Sequence, residues 1–149
     1  MLQGHATKNG TGITIQGYYI DLKFLYGVVH SLAGSYDHIE PEQNGANLLL
    51  LNFAYDVRKA YSGQRLMIKV KNSVGAKSSE YFGLQLVWTD ILFITRCLNE
   101  ISTKRRLGKL SEACLYMLEK VIENALVEYD PIGAKKIIYF LNNDFTTKN

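Results

Sequence analysis

The stretch from Leu48 to Ala60 constrains this chain more than any other. Leu48, Leu49, Leu50, Leu51, Phe53, Ala54, Val57 and Ala60 leave few polar positions between them. Read as a helix from Asn44 or Asn47 to about Tyr61, the stretch is apolar on nearly every face. Such a helix must lie at the centre of a core, wrapped by other elements. Its polar exceptions, Asn52, Asp56 and Lys59, fall at i, i+4 and i+7 and make one stripe. The four leucines fit a strand equally well, because a short apolar run carries no period of its own. Gly63 supplies a stop.

A central element of this kind needs a chain able to surround it. The 149 residues match one ordinary domain, 1–149. With 47 % hydrophobic and 21 % charged residues, the composition excludes a disordered chain. No run approaches the ~18 apolar residues of a membrane span, so no membrane partner is expected. Seventeen Lys and Arg against fourteen Asp and Glu give +3, which permits weak attraction to polyanions without demanding it. Cys97 and Cys114 both fall in apolar helical contexts and read as reduced core thiols, which points to the cytoplasm. Met1-Leu2-Gln3-Gly4-His5 lacks the basic and apolar regions of a secretion signal.

The remaining periodicities divide between strand and helix. Ile13 and Ile15 alternate with Thr14 and Gln16 between Gly12 and Gly17, as in a half-buried strand. From Tyr18 to Leu32 the period becomes helical, with Leu22, Leu25, Tyr26, Val29 and Leu32 inward and Gly34 as the stop. Arg65–Lys71 alternates, with Leu66, Ile68 and Val70 on one side and Arg65, Met67, Lys69 and Lys71 on the other. Tyr81–Trp88 alternates again, with Phe82, Leu84, Leu86 and Trp88 on its apolar side. These two read as an antiparallel hairpin with one packed and one wet face. Thr89 or Asp90 is expected to cap a helix over Asp90–Ser102 with Ile91, Ile94, Leu98 and Ile101 inward. Ser111 is expected to cap the next, with Leu115, Leu118, Ile122, Ala125, Leu126 and Tyr129 inward. Asp130-Pro131 opens a last helix to about Asn142. The order β-α-α-β-β-α-α-α lacks regular βαβ alternation. It predicts an α+β fold, a small antiparallel sheet covered on one face by about five helices.

Few residues announce chemistry. There is no G-x-S-x-G, H-E-x-x-H or C-x-x-C. Gly12 and Gly17 are followed by Tyr18-Tyr19 rather than Lys-Ser/Thr, so they form no phosphate loop. His5, His30 and His38 lie apart, and neither a metal site nor any other cofactor is expected. Asp56, on the apolar helix, needs a partner, because an unpaired buried charge is costly. Lys59, His30 or Arg96 could supply it, whereas Arg58 at i+2 faces elsewhere. A pocket joining Asp56 to His30 or Arg96 beside Tyr55 and Tyr61 is the functional reading; a helix-anchoring ion pair with two tyrosines is the structural one. Lys104, Arg105, Arg106 and Lys109 could clamp phosphates, or else serve a solvated turn beside a helix C-terminus. Arg65, Lys69 and Lys71, with Tyr81 and Gln85 beside them on the wet face of the hairpin, offer a second basic surface. Ten tyrosines favour interfaces and pocket rims, with Tyr18, Tyr19 and Tyr26 near one helix start and Tyr116, Tyr129 and Tyr139 on the C-terminal helices.

Three segments resemble a known family. They are Gly12-Ile13-Thr14-Ile15-x-Gly17-x-Tyr19-x-Asp21-Leu22-x-x-Leu25-Tyr26-x-x-x-His30, Tyr55-Asp56-Val57-Arg58-x-Ala60-Tyr61-x-Gly63-x-Arg65 and Val87-Trp88-x-x-x-Leu92-Phe93. Their order and spacing are similar to a bacterial family of about this length known only as a domain of unknown function. The resemblance covers about residues 10–95 and implies a bacterial or phage origin, with no activity to transfer. In that family's pattern an acidic residue often stands where this chain has Gln16, and a histidine where it has Lys59.

The leading expectation is a non-enzymatic binding or regulatory protein that forms a homo-oligomer and contacts a protein partner or a nucleotide-like ligand. Tyr55, Asp56, Arg58, Tyr61, Arg65 and Lys69 are the candidate ligand-binding residues. The alternative is a small hydrolase or transferase using His30 and Asp56, with Arg58 or Arg96 stabilising an anion. Nucleic-acid binding through Lys104, Arg105, Arg106 and Lys109 ranks behind both.

Overall fold

The computed structural model describes residues 1–34, 44–70 and 79–142. Within them the order is β1 (Gln3–Ala6), β2 (Gly12–Gly17), α1 (Tyr19–Ala33), α2 (Asn44–Tyr61), β3 (Leu66–Val70), β4 (Ser79–Val87), α3 (Trp88–Lys104), α4 (Lys109–Tyr129) and α5 (Pro131–Asn142). The fold is α+β, as expected, with one strand more than the sequence reading. The four strands form an antiparallel sheet in the order β1-β2-β4-β3. His38 and Lys71 lie outside the described residues.

The four leucines are helical. α2 sends Leu50, Leu51, Phe53, Ala54, Val57 and Ala60 into the core, where they meet Leu22, Leu25, Val28, Val29 and Leu32 of α1. Leu48 and Tyr55 remain on the outer side of α2. Ile13, Ile15 and Leu84 floor this core from the sheet, and α3 and α4 close it with Ile91, Ile94, Leu98, Leu118 and Ile122.

Helix ends follow local chemistry. The Asp21 carboxylate accepts the Tyr18 N–H at 3.1 Å at the start of α1, and also binds the Met1 amine at 2.7 Å. Asp130 Oδ1 accepts the N–H groups of Ile132 and Gly133 at the start of α5. At the end of α2, Gly63 sits at φ 75° while its N–H donates to the Ala60 carbonyl and the Gln64 N–H to the Lys59 carbonyl. This is a Schellman motif, and it turns the chain back along the helix.

Several expectations need correction. β1 is short and polar and carries no alternation to betray it; its partner β2 makes it a strand. Trp88 begins α3 rather than ending β4, so Val87 stands at the cap position in place of Thr89 or Asp90. β4 runs into α3 without a loop because the Trp88 N–H donates to the Thr11 carbonyl and its indole N–H to the Gly10 carbonyl. α4 starts at Lys109, ahead of Ser111, with Gly108 as its cap. Tyr129 lies on the surface, its ring tilted against Trp88.

On β4 the expected apolar side, Phe82, Leu84 and Leu86, does face the helices, but the two rows of β3 are exchanged. Opposed residues of antiparallel strands share a face. Met67 pairs with Phe82 and Lys69 with Glu80, whereas Ile68 pairs with Tyr81 and Leu66 with Gly83. Met67 and Lys69 therefore lie on the helix side, and Leu66, Ile68 and Val70 on the open side. Alternation defines two rows of side chains, but pairing with β4 decides which row faces the helices. The open side continues through Gln16 bonded to Gln3 and Gln85 bonded to Thr14.

Candidate functional site

α1 carries Tyr19, Lys23, Tyr26 and His30 at i, i+4, i+7 and i+11, a single stripe along one helix face. α2 packs beside it and presents Tyr55, Arg58 and Tyr61. The rings connect in series. Tyr19 meets Tyr61 at 5.3 Å between centroids, Tyr61 meets Tyr26 at 6.0 Å, Tyr26 meets His30 at 5.3 Å, and His30 meets Tyr55 at 6.3 Å. Most of these contacts are edge-to-face, the arrangement that aromatic quadrupoles favour. Lys23 Nζ stands 5.4 Å from the centre of the Tyr19 ring.

At 100° per residue, Arg58 projects from α2 between Tyr55 and Tyr61. It is exposed, and among the described residues its guanidinium makes no hydrogen bond or ion pair. The carboxylates at the margin are engaged: Asp21 by the Met1 amine and Asp56 by Arg65, 2.9 Å from its Oδ1. The ridge therefore presents five linked rings with Lys23 and Arg58, neither of which makes a hydrogen bond or ion pair among the described residues. Next to it the Tyr18 and Tyr81 rings meet edge-to-face at 4.6 Å. A hydrogen bond with Tyr18 raises the Tyr81 hydroxyl above its ordinary pKa, and burial and the Asp21 charge add to the rise.

The structure brings together His30, Tyr55, Arg58 and Tyr61, with Asp56 and Arg65 at their edge. The partner of Asp56 is Arg65, not Lys59, His30 or Arg96. The Gly63 turn returns the chain along α2 and sets residue 65 beside residue 56. No hydrogen bond joins His30 to Asp56 among the described residues. Lys69 lies apart, on β3 opposite Glu80, and Tyr81 and Gln85 belong to the other face. The basic run is partly committed: Lys104 pairs with Glu100 at 2.8 Å, and Arg105 reaches the Leu32 carbonyl at 3.5 Å. The hydrogen bond from Lys104 holds the Glu100 carboxyl below its ordinary pKa. Arg106 and Lys109 are exposed.

Sequence reasoning set Tyr26 in the core and did not join Tyr19 and Lys23 to the site. The signal was their spacing with His30, which defines a surface stripe once the opposite face of α1 is filled by Leu22, Leu25 and Val29. A second concavity, about 340 Å³, lies away from the ridge between Thr7, Lys8, Asn9, Thr11 and Gln85. Among the described residues no group of three or more His, Cys, Asp or Glu is placed to hold a metal, and no helix is long and apolar enough to cross a membrane.

Fold and site together define an α+β protein with an exposed ridge of rings and cations between two helices. The chain belongs to the family described as Domain of unknown function (DUF6904), whose model matches residues 2–149 and so extends past the motif resemblance through the last fifty residues. No curated protein and no solved structure matches it.

Proposed function

We propose that this protein is a non-enzymatic binding or regulatory module that grips an anionic, ring-bearing ligand, nucleotide-like in chemistry, on the α1–α2 ridge. The observation that carries the reading is the linked series of Tyr19, Tyr61, Tyr26, His30 and Tyr55 rings, with Arg58 exposed on the same helix as Tyr55 and Tyr61 and without a hydrogen bond or ion pair among the described residues. Rings offer stacking, and an unpaired guanidinium offers a fork for phosphate or carboxylate. The hydrolase or transferase alternative is less well supported, because Asp56 is committed to Arg65 and His30 lies between two rings, with no carboxylate partner among the described residues. In the same reading the protein is cytoplasmic and of bacterial or phage origin. Titration calorimetry with AMP and UMP tests the reading, with adenosine as the uncharged comparison. Nucleotides should bind more tightly than the nucleoside, and Arg58→Ala should remove about 1.5–3 kcal/mol, the worth of a charged hydrogen bond. No heat at millimolar nucleotide would overturn it.

Self-association is a second reading, favoured by α5. That helix buries only Ala134 fully, while Ile132, Tyr139 and Phe140 are exposed. A homo-oligomer would cover such side chains, since aromatic residues are enriched at interfaces. Native mass spectrometry should give a multiple of 16.9 kDa; a monomer at tens of micromolar would remove this reading.

A further inference from the structure

The dimensions of the ridge suit a ligand longer than a mononucleotide. From Tyr19 to His30 the stripe runs eleven steps along α1, about 16 Å at ~1.5 Å per residue. That exceeds one base with its sugar and phosphate. Rings occur at both ends and in the middle, so stacking surface is distributed along the helix instead of gathered in one cage. The cations are distributed as well, with Lys23 toward the Tyr19 end and Arg58 midway. Arg105 reaches the Leu32 carbonyl in the last turn of α1. Asp21 and Asp56 are both engaged by cations within the protein, so the charge that the described residues of the ridge present, on Lys23 and Arg58, is positive.

Resting on the binding reading above, we infer that the ridge holds a short single strand of nucleic acid laid along α1, its bases against the rings and its phosphates against Lys23 and Arg58. A track that alternates aromatic faces with cations binds single strands without reading sequence, because every base has a π-face. A duplex hides those faces in its stack and fits the ridge poorly. Stacking and phosphate contacts do not distinguish the sugars, so DNA and RNA strands are expected to bind alike.

Fluorescence anisotropy with 5′-labelled dT12 and U12 tests this at low salt, with a labelled 12-bp duplex and unlabelled dTMP as competitor. Both strands should bind at least ~10-fold more tightly than dTMP and more tightly than the duplex. Tyr55→Ala should weaken the strands by about five- to hundredfold, as expected for one stacked base. Arg58→Ala should reduce the slope of log K against log salt by ~0.7, one phosphate contact on a single strand, and Arg58→Lys should restore it. Both side chains are exposed, and unchanged far-UV circular dichroism verifies the fold. Lys136→Ala, on α5, should change nothing. If dTMP competes as well as a strand does, and with the same dependence on Tyr55 and Arg58, the ridge is a mononucleotide site; the strand inference then falls while the binding reading stands. If the duplex matches the strand, or Lys136→Ala weakens binding as much as Arg58→Ala, the attraction is diffuse charge and the inference falls. If neither strand nor dTMP binds, both fall together.

Discussion

Asp56 and Arg65 are bonded at 2.9 Å across the end of α2, nine residues apart in the chain. Both side chains are partly exposed, at 39 % and 41 %, and such a pair contributes only about 0–1 kcal/mol. The turn that brings them together matters more. At φ 75° a Cβ on residue 63 would cost about 1–2 kcal/mol. Gly63→Ala should therefore lower the unfolding free energy by about 1–2 kcal/mol in urea, and Asp56→Asn by less than ~1 kcal/mol. The reverse order would mean that the ion pair, not the turn, sets the end of α2.

Two other glycines should respond in opposite directions. Gly27 lies mid-helix on the exposed face of α1, and a Cβ there meets nothing within 4 Å. Gly27→Ala should stabilise the protein by roughly 0.5–1 kcal/mol by removing backbone entropy from the unfolded chain. A Cβ on Gly12 would collide with the Leu86 carbonyl of the paired strand, which cannot yield as a side chain can. Gly12→Ala should cost at least ~2 kcal/mol. Thermal melts of the two variants decide, and a stabilised Gly12→Ala would contradict the β2–β4 register.

The thiols should differ in reactivity. Burial pushes Cys114 up to about 11, and burial and the Glu100 charge raise the half-buried Cys97. At pH 8 Cys114 would be thiolate in about one molecule in a thousand. Iodoacetamide at pH 8 should label Cys97 first, and Cys114 only as the protein unfolds. Equal rates in the native state would place Cys114 closer to solvent than its burial indicates.

Glu119 gives a pH dependence of known sign. Burial raises its carboxyl above the ordinary value of about 4.5, Glu123 adds to the rise and a hydrogen bond with Asn99 opposes it. The folded state thus holds this proton more tightly than the unfolded chain does. Its contribution to stability grows as pH falls through the raised value and levels off below the ordinary one. Glu119→Gln should be more stable than the parent at pH 7, and the difference should shrink toward pH 4. A constant difference would assign the effect to packing instead of charge.

The helices were legible because each carries an apolar stripe, joined in α2 and α5 by local end signals, whereas the caps read for α3 and α4 fall elsewhere. Asp130-Pro131 opens α5, Gly63 closes α2, and Leu22, Leu25 and Val29 orient α1. What escaped the sequence depends on contacts distant in the chain. β1 is a strand only because β2 lies beside it and because Gly4 lets it approach Val121, where a Cβ would strike the Val121 side chain. The helix-facing row of β3 could not be read from alternation, since β3 lies at the sheet edge and takes its facing from β4. The ridge was half visible. Tyr55, Arg58, Tyr61 and His30 stood out by type, but only the packing of α1 against α2 joins them to Tyr19, Lys23 and Tyr26.

The attachment of Trp88 to the β1–β2 turn has a spectroscopic consequence. The chain has one tryptophan. Its indole is hydrogen-bonded to Gly10 and lies 6.3 Å from the Tyr129 ring. It stands seven residues beyond Tyr81 along β4, about 23 Å at ~3.3 Å per residue, and so at the opposite end of the sheet from the Tyr18–Tyr81 pair beside the ridge. Tryptophan emission therefore reports the joint between the hairpin turn, α3 and the end of α4, and a ligand confined to the Tyr19 end of the ridge should leave it unmoved. A titration with such a ligand that shifts this emission would be detecting a change transmitted along the sheet, whereas tyrosine signals would register occupancy directly.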